Sequence, residues 1–328
     1  MIRGTRAGYQ QLSGCGLNMF TNDELDEIHR ATLDVLEDAG LIVFSDEAQE
    51  IFYSHGCKVD KKTNTVKIPP YLVEDAIRSA PSQVLLGGRH PENDVILGGN
   101  RVHFTNFAVS IKVLDLETGE ARQSTNRDLA DAAILVDAVE EADIFFEAVT
   151  PGDVPVKMMD AYADETAFSN TTKHFCHAEV LSTEGVRRLF EMGAAIMGSE
   201  EEMRRRPIGS IVIGTTAPLQ LIPETCDVIT ECARLGVPCL IGSEVLSGAT
   251  GPVTLAGTLI IHAAEVLGGI VLHQLTKKGA PVVFAGTSQS LDLKVGNALV
   301  GDPEYALLQA ACAKLAQYYN LPSFHGGT

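Results

Sequence analysis

From about residue 125 onward, one pattern recurs along the chain: a helical segment followed by a short run of β-branched or aromatic residues. The predicted strands begin near residues 143, 174, 208, 238, 281 and 321. Intervals of roughly 30 to 43 residues are typical of βα units, in which a helix connects one parallel strand to the next. The chain is therefore predicted to have an α/β fold with a parallel sheet.

Two α/β architectures have this spacing, the doubly wound sheet and the (β/α)8 barrel. No G-x-G-x-x-G follows the first strand, so the phosphate loop of the dinucleotide fold is missing. The strand ends resemble one another, as in HAEVLS at 177–182 and SEVLSG at 243–248. Polar residues also gather at the carboxyl ends of nearly all strands, where a barrel builds its active site. These features favour a TIM-type barrel, of which residues 125–328 supply about six βα units.

Residues 1–124 lack this pattern and are predicted to form an N-terminal domain. Thr21 with Glu24 three residues later has the capping-box pattern, and the helix that follows is expected to stop at Gly40. A second short helix, SDEAQEIFYSHG, comes next. Alternating residues on both sides of the turn at 117–119 predict a β-hairpin. We therefore expect a helical cap and a hairpin laid against the barrel.

The 328 residues carry a formal net charge of −18. This balance disfavours nucleic acid as a partner, because phosphate binding uses clustered basic residues. The one dense basic run, Arg204-Arg205-Arg206, follows three glutamates and is interpreted as a solvated helix end with paired charges. The start of the chain has no secretory signal, and no uninterrupted apolar run reaches about 18 residues. We therefore expect no membrane association and a cytoplasmic location.

Seven cysteines are scattered through apolar surroundings without a C-x-x-C pair, which predicts reduced core residues. His174, Cys176 and His177 have the look of a metal cluster. Because side chains alternate along a strand, His174 and Cys176 share one face while His177 lies on the other. We therefore predict no metal site in this chain.

Three segments carry a resemblance that covers the whole chain: TTAPLQ at 215–220, GATGPVTLAGTL at 248–259 and LPSFHGGT at 321–328. They resemble the trimethylamine methyltransferase family. Members of that family are barrels that pass a methyl group from a methylated amine to the Co(I) of a separate corrinoid protein. The resemblance implies trimethylamine as substrate in methylamine metabolism and methanogenesis, a corrinoid protein as partner, and no corrinoid bound by this chain. We also expect a homo-oligomer.

The resemblance also bears on the residue after Thr328. In the trimethylamine enzymes, the residue that follows this Gly-Gly-Thr is pyrrolysine, encoded by an in-frame UAG. A six-stranded part of a barrel would expose two sheet edges and an open core. We therefore expect pyrrolysine at position 329, followed by the two remaining strands.

Trimethylamine must become positively charged before it can give up a methyl group, since attack on the neutral amine would expel a very strong base. Protonation achieves this, and so would addition of the amine to the imine carbon of pyrrolysine that the resemblance implies. The other task of the protein is to position the amine and to stabilise its charge. Carboxylates at the strand ends are the candidate groups.

Four residues are candidates for a catalytic role. Glu179 and Glu244 occupy matching positions in the two similar strand ends, and Glu147 is placed likewise in FFEAV. Each could hold the ammonium or hydrogen-bond the pyrroline nitrogen, although a carboxylate at a strand end is often only solvated or paired. His325 lies near the end of the sixth strand and is either a pocket residue or a core histidine.

Five further residues are candidates for binding substrate or cofactor. Gly326 and Gly327 would give a long side chain at position 329 backbone room and freedom in φ. Thr287 and Gln289 follow the fifth strand. Thr250, with Pro252 after it, is predicted to start a helix. The free N–H groups of its first turn either bind an anionic group of the corrinoid or are simply satisfied within the helix cap.

Three other functions are alternatives for a chain of this kind. A relative with an ordinary residue at position 329 would demethylate a quaternary amine such as glycine betaine, whose nitrogen is already positive. A lyase or aldolase would need a Schiff-base lysine inside the barrel, but Lys173 lies before the second strand and the predicted strand cores hold none. A non-catalytic amine-binding protein would use an aromatic cage, yet aromatic residues make up 6% of the chain and Trp is absent.

Overall fold

The computed structural model describes residues 19–178 and 180–327. The helices are α1 (Asn22–Asp34), α2 (Asp46–Ser54), α3 (Pro70–Ser79), α4 (Asn126–Ala138), α5 (Met159–Asn170), α6 (Thr183–Met197), α7 (Glu200–Arg205), α8 (Pro223–Leu235), α9 (Leu255–Thr276) and α10 (Pro303–Tyr318). The strands up to residue 177 are β1 (Leu41–Val43), β2 (Lys58–Asp60), β3 (Thr65–Lys67), β4 (Val84–Leu86), β5 (Val95–Leu97), β6 (Lys112–Leu114), β7 (Ala121–Gln123), β8 (Ile144–Phe146) and β9 (His174–His177). The later strands are β10 (Gly209–Gly214), β11 (Gln220–Leu221), β12 (Cys239–Ser243), β13 (Leu246–Ser247), β14 (Val282–Gly286), β15 (Gln289–Asp292), β16 (Asn297–Leu299) and β17 (Ser323–His325). The architecture is mixed α/β.

The described chain divides into two compact units by its internal contacts. The first unit contains residues 84–212 and 235–238, and the second contains residues 19–83, 213–234 and 239–327. These units do not test the domain boundary predicted at residue 124, which stays a prediction.

Three parallel strands form the centre of the first unit. β8 pairs with β9, with Ile144 opposite His174, and β9 pairs with β10, with Phe175 opposite Gly209. Helix α5 connects β8 to β9, and α6 and α7 connect β9 to β10. The ring of Phe175 packs 5.8 Å from that of Phe145 and 5.7 Å from that of Phe168, between centroids. The strands are therefore held to α5 by aromatic packing.

The second unit also contains three parallel strands, with α9 between β12 and β14 and α10 between β14 and β17. Ser243 lies opposite Gly286, and Gly286 lies opposite His325. All residues of β12 and β14 are buried, which is typical of parallel strands covered on both faces. The carboxyl ends of these three strands therefore lie side by side.

The six predicted strands of the repeating pattern are confirmed as β8, β9, β10, β12, β14 and β17. The largest displacement is at the last one, which begins at Ser323 rather than near residue 321. Closure into an eight-stranded barrel stays a prediction.

Helix α9 corrects one prediction. Its N-cap is Thr254, whose hydroxyl accepts the Gly257 amide, so the helix start predicted at Thr250 is wrong. Thr250 lies instead in a turn, where its hydroxyl accepts the Leu246 amide at 2.8 Å. Of the helices in the described part of the chain, α9 alone is long and apolar enough to cross a membrane by length and composition. Because 72% of its apolar window is buried inside the protein, α9 has the character of a core helix.

The first predicted helix is confirmed: α1 starts with a capping box between Thr21 and Glu24, and a π-helical segment, Val35–Ala39, continues it to the stop at Gly40, where φ is 78°. The predicted hairpin is also confirmed as β6 and β7, joined by a turn in which Gly119 has a φ of 72°. The prediction missed an antiparallel sheet in which β3 lies between β1 and β2, and to which β11 adds in parallel. Strands of two or three residues give too short an alternation to be recognised.

The predicted charge pairing at the basic run is confirmed for two of its three arginines. Arg204 pairs with Glu200 at 2.8 Å, and Arg205 pairs with Glu202 at 2.6 Å, both on α7. Arg206 instead pairs with Asp94, away from the helix. The prediction of reduced core cysteines is confirmed for the six that the structure describes, which are all free and buried.

Two glycines of the second unit test how tightly the chain at Gly40, just after the first helical segment, packs against β3. Gly40 and Gly279 have similar φ values, 78° and 81°, but a Cβ at Gly40 would overlap the Val66 carbonyl, whereas a Cβ at Gly279 would meet nothing within 4 Å. Gly279→Ala should cost about 1 kcal/mol through its backbone conformation alone. Gly40→Ala should cost about 1–3 kcal/mol more, because the backbone of β3 must move. Urea denaturation followed by circular dichroism measures both; equal midpoints would contradict this packing.

Candidate active site

The strand ends of the second unit bring several predicted residues together. Because Ser243 and Gly286 are register partners, the residues that follow them, Glu244 and Thr287, are neighbours. The Thr287 hydroxyl donates a hydrogen bond of 2.6 Å to Glu244 Oε1. Glu244 is exposed, so a carboxylate oriented by a hydroxyl is presented at the carboxyl edge of these strands.

Gly326 follows β17 and lies against Tyr305 of α10. A Cβ at Gly326 would overlap the Tyr305 hydroxyl, and the Gly326 amide donates to Gln309 Oε1 at 3.2 Å. Burial raises the pKa of Tyr305, and the charge of Glu244 raises it further. Gly326 therefore needs to lack a side chain because it lies so close to Tyr305, whereas the room predicted for a side chain at position 329 stays a prediction. Neither Gly326 nor Gly327 has a positive φ, so the expected need for freedom in φ is not seen.

His325 ends β17 with its two ring nitrogens in different situations. Nδ1 lies 3.3 Å from the Gly286 carbonyl oxygen, while Nε2 is enclosed and has no hydrogen-bond partner among residues 19–178 and 180–327. Burial lowers the pKa of His325 to about 4, so the ring is neutral at physiological pH. The sequence left two interpretations of His325, a pocket residue or a core histidine. Both are compatible with a partly buried ring.

The other two predicted binding residues, Gln289 and Thr250, have local structural roles. Gln289 is the first residue of β15. Its backbone amide donates to the Val245 carbonyl at 3.0 Å, and its side-chain Oε1 is enclosed. Thr250 holds the turn before α9, so it does not present the free amides of a helix start. Glu179 lies outside the described residues, and so does Thr328.

Sequence reasoning missed Glu265, a buried carboxylate on α9. It accepts hydrogen bonds from the Thr215 hydroxyl at 2.7 Å, the Ser243 hydroxyl at 2.7 Å and the Leu219 amide at 2.8 Å. Burial raises the pKa of Glu265, and the three hydrogen bonds oppose that rise. The available signal was the single carboxylate of a long and mostly apolar helix, since Glu is almost never fully buried without partners.

The first unit has its own polar cluster at the ends of β8 and β9. His177 Nδ1 lies 2.7 Å from Asp164 Oδ1, and His177 Nε2 lies 3.4 Å from Glu147 Oε2. Glu147 Oε2 also accepts the Ala178 amide at 3.1 Å. The three side chains are all buried. Burial alone lowers the pKa of His177, but the charges of Glu147 and Asp164 outweigh it and raise this pKa to about 9.

His177 is thus a buried cation between two carboxylates, and the hydrogen bond between its Nδ1 and Asp164 fixes the ring. The direct catalytic role predicted for Glu147 stays a prediction. His174 of the same strand has different partners, the Gly87 carbonyl at 3.0 Å and the Ser210 hydroxyl at 2.8 Å. The expected separation of His174 from His177 is therefore confirmed.

The charge of His177 makes stability depend on pH. Its pKa rises from 6.5 to about 9 on folding. The stabilisation is therefore complete below about pH 6.5 and is lost as pH rises through about 9. The gap in unfolding free energy between wild type and His177→Gln should be largest near about pH 6 and should shrink by about 3 kcal/mol by about pH 10.

His273→Gln is the matched control for this titration. His273 is equally buried, but burial lowers its pKa to about 3, so it carries no charge in this range. Its gap from wild type should stay constant above about pH 7. Urea titrations at several pH values measure both gaps, and a constant gap for His177→Gln would contradict the buried cation.

Comparison with known proteins assigns the chain to a family. The family model described as trimethylamine methyltransferase (MTTB) matches residues 7–328. Trimethylamine methyltransferase MttB of Desulfitobacterium hafniense is 46% identical over 325 residues, covering 98% of this chain and 65% of the relative. MttB of Methanosarcina barkeri is 44% identical over 327 residues, with coverage of 98% and 66%. A glycine betaine methyltransferase of D. hafniense is 32% identical, with coverage of 94% and 64%.

The chain therefore spans about two thirds of the length of the curated relatives that it matches. Among solved structures, the monomethylamine methyltransferase MtmB of M. barkeri matches with a TM-score of 0.53 and 10% identity, covering 92% of this chain and 65% of that one. The complex of MtmB with hydroxylamine gives the same values. At this identity the likeness concerns the fold alone, and it agrees with the mixed α/β architecture. Because the family model matches nearly all of the sequence, the chain belongs to the trimethylamine methyltransferase (MTTB) family.

Proposed function

We propose that the complete protein transfers a methyl group from trimethylamine to the Co(I) of a corrinoid carried by a separate protein. The observation that carries this proposal is the Glu244–Thr287 pair at the carboxyl edge of β12 and β14, in a chain 46% identical to a relative named trimethylamine methyltransferase. A carboxylate in this position can hold the positive charge that the amine nitrogen must acquire.

Glu244 is exposed, and an exposed carboxylate attracts a cation only weakly in water. The interaction becomes strong when the site is covered and water is excluded. A partner protein that brings its corrinoid to the strand ends would provide that cover. The proposed role of Glu244 therefore depends on the proposed partner.

The proposal includes pyrrolysine at position 329 and an eight-stranded barrel, supported by the resemblance of residues 321–328 and by the fold likeness to MtmB. When present, the imine of pyrrolysine supplies an electrophile for the amine. The residues of this chain provide its setting: the lack of a side chain at Gly326 lets the end of β17 approach Tyr305 closely. A homo-oligomeric assembly belongs to the same proposal.

A second candidate is demethylation of a quaternary amine, which the relative named glycine betaine methyltransferase favours. The native full-length protein should be incubated with a Co(I) corrinoid protein and either trimethylamine or glycine betaine, and cobalt methylation followed by absorbance. Trimethylamine should be the methyl donor. Turnover with glycine betaine alone would establish the second candidate, and turnover with neither would overturn both.

The role of Glu244 is tested with Glu244→Gln, which keeps an acceptor for Thr287 but removes the charge. We expect kcat/KM for trimethylamine to fall by about 10- to 100-fold, because the positive nitrogen loses its counter-ion. Glu50→Gln is the matched control, since Glu50 is an exposed carboxylate on α2 of the same unit. Glu50→Gln should retain the wild-type rate. A wild-type rate for Glu244→Gln would remove Glu244 from the mechanism.

A further inference from the structure

Three metal-ligating side chains converge inside the second unit. His262 comes from α9, Cys312 from α10 and His325 from β17, and one ligand atom of each lies within 4.8 Å of the other two. No second set of three with this proximity occurs among residues 19–178 and 180–327. The spacing of these residues along the chain matches no metal motif, so only folding brings them together.

The two histidines are oriented in the manner of metal ligands. His262 Nδ1 lies 2.8 Å from the Ser288 hydroxyl, and His325 Nδ1 lies 3.3 Å from the Gly286 carbonyl oxygen. Both Nε2 atoms are buried and have no hydrogen-bond partner in the described part of the chain. Metal-bound histidines use one ring nitrogen for the metal and the other for a hydrogen bond that fixes the ring. An enclosed nitrogen without a partner is otherwise costly.

A second buried histidine of α9 shows why convergence matters. His273 Nε2 also lacks a partner among the described residues, but His273 belongs to no group of potential ligands there. An unpartnered nitrogen is therefore not sufficient by itself. The distinguishing feature of His262 is a second imidazole and a thiol within reach.

We propose that His262, Cys312 and His325 form a buried site for a thiophilic d10 metal cation, with Zn²⁺ as the cation of choice. Two imidazoles and one thiolate are ligands that Zn²⁺ prefers, and three protein ligands leave a fourth coordination position for water or another small ligand. This site revises the prediction from sequence that the chain binds no metal.

The protonation states of the three side chains suit the binding of Zn²⁺. Burial lowers the pKa of His262 to about 3 and that of His325 to about 4, so both rings are neutral and offer a lone pair. Burial raises the pKa of Cys312, so the thiol is protonated in the absence of a cation. Binding Zn²⁺ forms a Zn–S bond and releases that one proton to solvent, without any change in oxidation state.

The site would fasten three elements that do not adjoin in sequence. Helices α9 and α10 are joined through the cation to β17, a strand of only three residues. The cation would thereby fix the position of His325 and of Gly326 after it. This role is independent of the methyl transfer proposed above.

The first test uses the native full-length protein and needs no variant. Its zinc content after purification without chelators should be about one per chain by plasma mass spectrometry. After removal of zinc, addition of Co²⁺ should produce a thiolate-to-cobalt charge-transfer band. Absence of bound zinc after equimolar reconstitution, or a cobalt spectrum without that band, would overturn the proposal.

Variants then identify the ligands. Cys312→Ser and His262→Gln should each weaken zinc binding by at least about tenfold, measured by competition with a chromophoric chelator. Cys226→Ser and His273→Gln are the matched controls, because both residues are buried in the same unit outside the cluster. Controls should bind as the wild type does. Wild-type affinity in Cys312→Ser and His262→Gln would assign the zinc to other residues, and the cobalt spectrum of the wild type decides alone if these variants do not fold.

Discussion

Parallel strand pairing is the constraint on which the proposed chemistry depends. In the second unit, the register places Ser243, Gly286 and His325 opposite one another. The interiors of β12 and β14 are fully buried, so polar side chains that meet solvent must lie at the strand ends. Glu244 and Thr287 become neighbours for this reason alone, although 43 residues separate them in sequence.

The buried polar groups show two ways of compensating lost hydration. Glu265 receives three hydrogen bonds, and His177 lies between two carboxylates, so each has partners that offset the cost of burial. His262 and His325 differ, because each has an enclosed ring nitrogen with no partner in the described part of the chain. A cation bound by these two nitrogens and the Cys312 thiolate would give each buried nitrogen a partner as well.

The repeating pattern predicted the parallel strands well, because continuous apolar runs between capped helices are a strong local signal. The turn at Gly119 and the cap at Thr21 were predictable for the same reason, since each depends on residues a few positions apart. The start of α9 was not, because Thr250 and Thr254 both precede apolar residues, and the turn that separates them depends on a bond from the Leu246 amide. The partners of Glu265 and of His262 could not be predicted, because they come from elements that are distant in sequence.

The proposed chemistry requires that a positively charged amine be held at the strand ends of the second unit, beside Glu244. The decisive measurement is a crystal structure of the native full-length protein with tetramethylammonium, a methylated cation that transfers no methyl group when Co(I) is absent. We expect the cation in contact with the Glu244 carboxylate, next to Thr287. A cation bound at another carboxylate, with none beside Glu244, would contradict it.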